Sequence, residues 1–413
     1  MADDAIDYMT RMHQIDPSKP IFIKYAPGAT HAPHHPTKEW VDKISAMKLF
    51  DDGYEKLRER IFENQKRLGV IPQGRQAAAL AARRAQAAGT SSAPDEKKLF
   101  IRQVEVFAAY AAYTDHEIGR VIQAFEDLGK LDNTLIIYIN GDNGTSAEGG
   151  PTGHAQRGRV LQRHQRLPAD VQMKWYDVWG TEQTYNHMSA GWSWAFDTPF
   201  DWFKQNASQL GGINQNMVVS WPARIKDKGG TARAVPCTSS TSCRPSSRRP
   251  ASAQPNMVDG IAQRPIEGIS FAYTFDAAER QDAPSRHKTQ YFEMLGQWAL
   301  YHDGWIASTT PPVAPWASVA APRAGGCHER LCLGAVQSGG RSHPDPRSRQ
   351  GAAGQAARAA RNVHHGGGAQ SGVPAQQLDH GDGGTAAVLR PAANNSSIPG
   401  RRAAPRPTPR RRS

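Results

Sequence analysis

The feature that most constrains this 413-residue chain is a helix-length apolar repeat that leads into a short apolar run and then a polar loop. From residue 97 to residue 128, apolar side chains recur at steps of three and four, and Gly129 follows as a helix stop. Residues 135–139 (LIIYI) form a strand-length apolar run that ends in Gly141, Asp142, Asn143 and Gly144. Helix, turn, buried strand and polar loop are typical of α/β folds, whose ligands lie beyond the carboxyl ends of strands. The pattern therefore predicts an α/β fold with Asp142 and Asn143 in a functional position.

Further strands are predicted at residues 20–26 (PIFIKYA), 217–221 (MVVSW), 289–294 and 298–307. The expected fold is a partial mixed sheet flanked by helices, followed by a smaller β-containing domain and a disordered tail. We place the main domain at 1–230, with irregular stretches at 75–93 and 154–166. This domain is followed by an irregular segment at 231–254, the smaller domain at 255–316 and the tail at 317–413. The irregular stretches have no apolar period and are rich in Ala, Arg, Gly, Ser and Pro, a composition typical of disorder.

The positive charge is concentrated in the tail. Of the formal net charge of +12, residues 317–413 contribute +10, with 14 Arg, no Lys and four acids. A nucleic-acid protein is expected to place Lys and Arg together on a folded face with aromatics, so the sequence predicts no nucleic-acid partner. No apolar run reaches membrane-spanning length, and Met1 is followed by Ala2, Asp3 and Asp4 instead of a basic and apolar leader. These observations predict no membrane partner and a cytoplasmic location.

Seven segments of the chain, covering roughly half of it in a consistent order, resemble the bacterial arylsulfatases of the alkaline-phosphatase superfamily. The most specific are YAPGATHAPHHPTKEW from Tyr25, NTLIIYINGDNGTSAEGG from Asn133, and the downstream TPF-D-W-F-K motif. Three of the irregular stretches re-read in a shifted frame also resemble this family; residues 237–252, for example, become VHLVDVVPTILEAAGI. The resemblance therefore suggests a sulfatase that lacks its N-terminal part and carries frameshifted segments.

The resemblance implies a metal-dependent sulfuric ester hydrolase that acts on small sulfate esters. Asp142 and Asn143 would be two ligands of a divalent cation, usually calcium, whose other two ligands are aspartates of an N-terminal strand. His31 would contact the sulfate or protonate the leaving group, and Lys204 would bind a sulfate oxygen. The family's nucleophile is a formylglycine made from C-x-P-S-R. Cys243 begins a similar CRPS, but Ser247 replaces the Arg, so this chain is expected to be inactive by itself.

Each assignment has a simpler alternative. Asp142 and Asn143 also suit a turn after a strand, His34 or His35 could be confused with His31, and Lys204 could be a solvated lysine because GGINQN departs from the usual GG-x-R pattern. We expect packing roles for His187, Trp192 and Trp194. The cysteines lack a C-x-x-C spacing and are expected to be incidental thiols; they are Cys237, Cys243, Cys327 and Cys332. Two alternative functions stay open: a phosphonate or phosphate monoesterase of the same superfamily, and a non-catalytic protein that binds through its basic tail.

Overall fold

A computed structural model describes residues 1–71, 73, 94–141, 143–156, 167–200, 202–214, 216–225, 256–263, 268–275, 286–294, 297–302, 305–309 and 333–337. The chain divides into units at 1–360 and 361–413, and all described residues belong to the first. Asp142 and the four cysteines lie outside the described residues, as do the segment at 231–254 and most of the tail.

The described helices are α1 (Ala2–Ile15), α2 (Lys38–Ala46), α3 (Tyr54–Arg67), α4 (Pro94–Asp127), α5 (Ala169–Gln172), α6 (Ala190–Phe196) and α7 (Leu210–Ile213). Short 3-10 segments occupy Leu131–Asn133, Met173–Trp175 and Ala272–Phe275. The strands are β1 (Ile136–Asn140), β2 (Asn216–Ser220), β3 (Met257–Val258), β4 (Ile261–Ala262), β5 (Thr289–Met294), β6 (Gln297–His302), β7 (Trp305–Thr309) and β8 (Leu333–Gln337). Helices with small antiparallel sheets fit the expected α/β class.

Helix α4 is one continuous helix of 34 residues and confirms the repeat predicted at 97–128. Its first half buries Leu99, Val104 and Ala109 in the main core. Because residues five apart point in different directions around a helix, this half is covered on more than one face. The helix ends at Asp127, and Gly129 beyond it has a φ of +67°, which suits the left-handed position after a helix C-terminus. The amides of Gly129 and Lys130 bond to the carbonyls of Glu126 and Phe125 at 2.8 and 2.9 Å, as in a Schellman motif. No helix in the described part of the chain has the length and apolarity that a membrane crossing requires.

Aromatic side chains from α3 and α6 fill the centre of the main core. The ring of Tyr54 packs edge-on against Trp192 and Trp194, with ring centroids 5.8 and 6.3 Å apart. Trp192 is 1% exposed and Trp194 is 5% exposed. The prediction that these two residues pack is therefore confirmed.

Strands β1 and β2 pair antiparallel, from Ile136 opposite Ser220 to Asn140 opposite Asn216. Both strands were predicted to within one residue. Their inner face packs against buried Phe271, Tyr273 and Phe275. Among the described strands all pairing is antiparallel, so the expected mixed sheet is not formed there. Because the ladder is antiparallel, the loop after β1 and the segment before β2 lie at the same end of it.

The strand predicted at 20–26 is wrong, since residues 20–28 have no regular secondary structure. Ile21, Ile23 and Tyr25 pack on the second half of α4, whereas Phe22 is 88% exposed. This alternation is that of a strand, but the described ladders do not include these residues. The two-residue alternation of apolar side chains therefore indicated which of them turn inward, but it could not indicate whether the segment pairs with another strand.

The C-terminal strands form an antiparallel sheet in the order β5-β6-β7-β8. The strand predicted at 289–294 is confirmed, but the one predicted at 298–307 is two strands, β6 and β7, that pair with each other. Leu333–Gln337 forms β8, five residues of the segment predicted as a disordered tail; the rest of that tail lies outside the described residues. β8 forms because its backbone pairs with the edge of β7, a contact that composition does not reveal.

Candidate active site

The loop after β1 and the segment that precedes α7 meet at the end of the β1–β2 ladder. The amide of Lys204 donates to the carbonyl of Thr145 at 3.1 Å. Gly144 has a φ of +80°, and a Cβ on it would overlap the carbonyl oxygen of Gly211. Glycine is therefore needed at this position both for the backbone conformation and for the close approach of the two backbone segments.

Lys204 and His31 contact each other although 173 residues separate them in the sequence. The Lys204 Nζ lies 3.2 Å from His31 Nε2. The other ring nitrogen of His31, Nδ1, lies 2.8 Å from the carbonyl oxygen of Ala32, which can only accept a hydrogen bond. Nδ1 therefore carries the proton, and neutral Nε2 accepts from the lysine ammonium. His31 is exposed, whereas the Lys204 side chain is 16% exposed.

Glu148 lies on another side of the same lysine. Its Oε1 is 3.5 Å from Lys204 Nζ, and its side chain is 8% exposed. The same oxygen accepts a hydrogen bond of 2.8 Å from Gln205 Nε2. Gln205 has a φ of +77°, a left-handed conformation that costs on the order of 1 kcal/mol or more for a residue with a Cβ. Glu148 thus contacts two neighbouring residues, Lys204 and Gln205, and the backbone of Gln205 is strained.

Asn143 lines a cleft of about 310 Å³ beside this cluster. Gln205, Ala207, Gly212 and Ile213 line the same cleft. Tyr291, Phe292, Glu293 and Met294 of β5 complete its described lining. The cleft therefore opens between the Asn143 loop, the Gln205 segment and the C-terminal sheet.

A buried carboxylate supports the loop that carries Asn143. Asp197 is 6% exposed, and its Oδ1 accepts a hydrogen bond of 3.2 Å from the amide of Thr145. Burial raises the pKa of Asp197 to about 7, against the lowering effects of the Thr145 hydrogen bonds and of nearby Arg58. Its Oδ2 has no hydrogen-bond partner among the described residues. Asp197 thus holds the loop in place at an electrostatic cost.

The other candidate histidines have structural contacts. The ring of His34 is 2% exposed and meets Phe107 edge-on at 5.0 Å, while His35 Nε2 is 2.8 Å from the carbonyl oxygen of Thr184. His187 is 1% exposed and its Nε2 is 2.9 Å from Ser146 Oγ, which confirms its predicted packing role. Of the described histidines near the start of the motif, His31 is the one that contacts Lys204.

The described residues do not by themselves form a metal site. Within the described ranges, no group of three or more His, Cys, Asp or Glu side chains is arranged to hold an ion. Asn143 offers one amide oxygen at the cleft, and Asp142 lies outside the described residues. Calcium binding by this pair therefore stays a prediction.

Sequence reasoning named His31, Lys204 and Asn143 as candidates and did not name Glu148, Gln205 or Asp197. Glu148 lies within the GDNGTSAEGG stretch, so the motif itself could have indicated it. Asp197 directly precedes the TPF motif and carried a similar signal. Gln205 offered no signal, because its role depends on a backbone conformation that glutamine rarely adopts.

Comparisons with known proteins agree with these motifs. The Sulfatase family model matches residues 1–242, more than half of the chain. An uncharacterized sulfatase of Schizosaccharomyces pombe is 28% identical over 214 residues, which are 50% of this chain and 35% of that protein. An arylsulfatase of Klebsiella aerogenes is 22% identical over 204 residues, which are 49% of this chain and 41% of that protein. The matched region thus spans well under half the length of either relative.

Proposed function

The chain belongs to the sulfatase family, and from its site we propose that it is part of a hydrolase of aryl or alkyl sulfate esters. The observation that carries the proposal is the pair formed by His31 and Lys204, with 3.2 Å between Nε2 and Nζ, beside the loop of Asn143. A cation and an imidazole at one point provide an anion-binding charge and a group able to carry a proton.

The two side chains have different proposed roles. The Lys204 ammonium would bind a sulfate oxygen, because its backbone is fixed to the Thr145 loop and its side chain is largely shielded from water. His31 would protonate the leaving oxygen or bind the sulfate through Nε2 once that nitrogen has taken up a proton, since Nδ1 is already engaged with the Ala32 carbonyl. The Nε2–Nζ contact would then open so that the ester occupies the space between them.

We keep Asp142 and Asn143 as proposed ligands of a divalent cation, which in this family stabilises negative charge on the sulfate group. Because the described residues do not form a cluster that could hold an ion, we assign no step of the reaction to the cation. Calcium binding by Asp142 and Asn143 is therefore a separate proposal, and the roles proposed for His31 and Lys204 do not depend on it.

Ligand binding tests the proposal. Titration of the 413-residue chain with 4-nitrophenyl sulfate, followed by NMR signals of the ligand, should give a dissociation constant that rises about tenfold in Lys204→Met. His31→Gln should weaken binding by a smaller factor, since the imidazole must take up a proton at Nε2 before it can donate to the anion. Lys19→Met, which changes an exposed lysine, is the matched control. Equal binding by wild type and Lys204→Met would contradict the proposal.

A further inference from the structure

We propose that Glu148 is a specificity-determining residue that makes the His31–Lys204 site prefer esters with one negative charge to esters with two. This inference rests on the proposed function, because it concerns the same anion site. Sulfate monoesters carry one negative charge at any ordinary pH, whereas phosphate monoesters carry close to two above about pH 7. The selectivity therefore separates two classes of substrate that have the same shape.

The charge pairing in the site is the first step. The carboxylate of Glu148 lies 3.5 Å from the Lys204 ammonium, and both side chains are largely removed from solvent. Their charges therefore cancel with little screening by water. His31 adds no charge in this arrangement, because its Nε2 accepts from Lys204 while Nδ1 donates to Ala32. The described cluster thus offers the Lys204 ammonium as a donor but no net positive charge.

The position of Glu148 is the second step, since a carboxylate that swung away would select nothing. Gln205 Nε2 donates to Glu148 Oε1 at 2.8 Å. The following residue, Gly149, packs so closely on the Met188 carbonyl that a Cβ there would overlap it. The carboxylate is thereby held from its side chain and from its backbone, and it stays beside Lys204 when an anion enters.

The third step is how repulsion scales with the charge of the ligand. An anion bound to Lys204 Nζ would lie roughly 6 Å from Glu148, where one pair of like charges at an effective dielectric constant near 20 weakens binding by about a hundredfold. A second negative charge on the ligand doubles that free-energy cost. If removing the charge of Glu148 improves binding of a monoanion by some factor, it improves binding of a dianion by about the square of that factor.

The test compares two ligands with the same aryl group, 4-nitrophenyl sulfate and 4-nitrophenyl phosphate, at pH 8. Dissociation constants are measured by ligand-observed NMR on the full chain and on Glu148→Gln. The ratio of the two constants should shift toward the phosphate by about a hundredfold in Glu148→Gln, the factor that one pair of like charges contributes. Glu59→Gln is the matched control, because Glu59 also pairs with a lysine, Lys56, at 2.7 Å, but on the exposed surface. That control should leave the ratio unchanged.

A second pair of variants separates charge from packing. Glu148→Asp and Glu148→Asn have nearly equal volume and differ in charge, so the first should keep the wild-type preference and the second should lose it. This pair carries the same test if Glu148→Gln does not fold. Equal ratios in Glu148→Asp and Glu148→Asn would overturn the inference.

The remaining outcomes distinguish the inference from the proposed function. Sulfate-ester binding that is lost in Lys204→Met, together with an unchanged ratio in Glu148→Gln, would overturn the inference and leave the proposed function standing. Tighter binding of the phosphate ester than of the sulfate ester by wild type would overturn both. A sulfate ester whose binding does not depend on Lys204 would also overturn both, because no anion would then occupy the site beside Glu148.

Discussion

At the scale of single residues, the site combines groups that are each unfavourable by themselves. Asp197 is a carboxylate buried with one oxygen lacking a hydrogen-bond partner among the described residues, and Gln205 has a left-handed backbone. Asp197 holds the Asn143 loop through the amide of Thr145, and Gln205 directly follows Lys204, the partner of His31. Such local costs persist when the surrounding structure fixes them, and they concentrate at functional sites. We therefore expect Asp197 to lower the free energy of unfolding while it orders the loop.

The pH dependence of stability tests this expectation. Burial raises the pKa of Asp197 from 3.8 to about 7, so the folded state holds the proton more tightly than the unfolded state. The contribution of Asp197 to the free energy of unfolding is then highest below about pH 4, falls by up to about 1.4 kcal/mol per pH unit toward pH 7, and is constant above. Asp197→Asn should flatten this dependence in urea unfolding between pH 5 and 8.

The control for that measurement is Asp170→Asn, which changes an exposed carboxylate on α5. Asp170→Asn should leave the slope between pH 5 and 8 as in wild type. An Asp197→Asn protein that keeps the full wild-type slope would show that another group carries the titration.

At the scale of elements, sequence reasoning succeeded where one segment's own period decides the outcome. The repeat in α4 and the apolar runs of β1 and β2 were predicted because each buries a continuous stripe or face. It failed where the outcome depends on a distant partner. Residues 20–26 have a strand's alternation without a described ladder, and β8 pairs with β7 despite its irregular surroundings.

Two phenylalanines show how pairing in a ladder affects stability, one beneath the β1–β2 ladder and one on the unpaired segment at 20–26. Phe271 is 3% exposed beneath the β1–β2 ladder, and Phe22 is 88% exposed on the segment at 20–26. Phe271→Ala should lower the free energy of unfolding by about 3–5 kcal/mol, because it leaves a cavity. Phe22→Ala should change it by less than about 0.5 kcal/mol. Urea unfolding of the two variants checks this, and similar losses would show that Phe22 is covered in solution.

At the scale of the whole molecule, the site exists only through long-range contacts. His31 precedes α2, Glu148 follows β1, and Lys204 precedes α7, yet they form one connected cluster. The family's motifs predicted that His31 and Lys204 belong to one site, but no local pattern could indicate the charge of their surroundings. The ion pair of Glu148 with Lys204 became visible only when the antiparallel ladder brought the two loops together.

The last prediction concerns turnover by the 413-residue chain. Sulfatases of the resembled type use a formylglycine made from C-x-P-S-R, and this sequence contains no such segment, since Cys243 begins CRPSS. A sulfate ester held by His31 and Lys204 then has no nucleophile that could form a covalent sulfated enzyme, the intermediate that divides the displacement into two easier steps. We expect purified chain, with or without added calcium, to hydrolyse 4-nitrophenyl sulfate at the background rate while still binding it through Lys204. The measurement follows release of nitrophenolate by wild type, Lys204→Met and Cys243→Ala. Turnover by wild type that disappears in Cys243→Ala would make Cys243 the nucleophile and contradict this prediction.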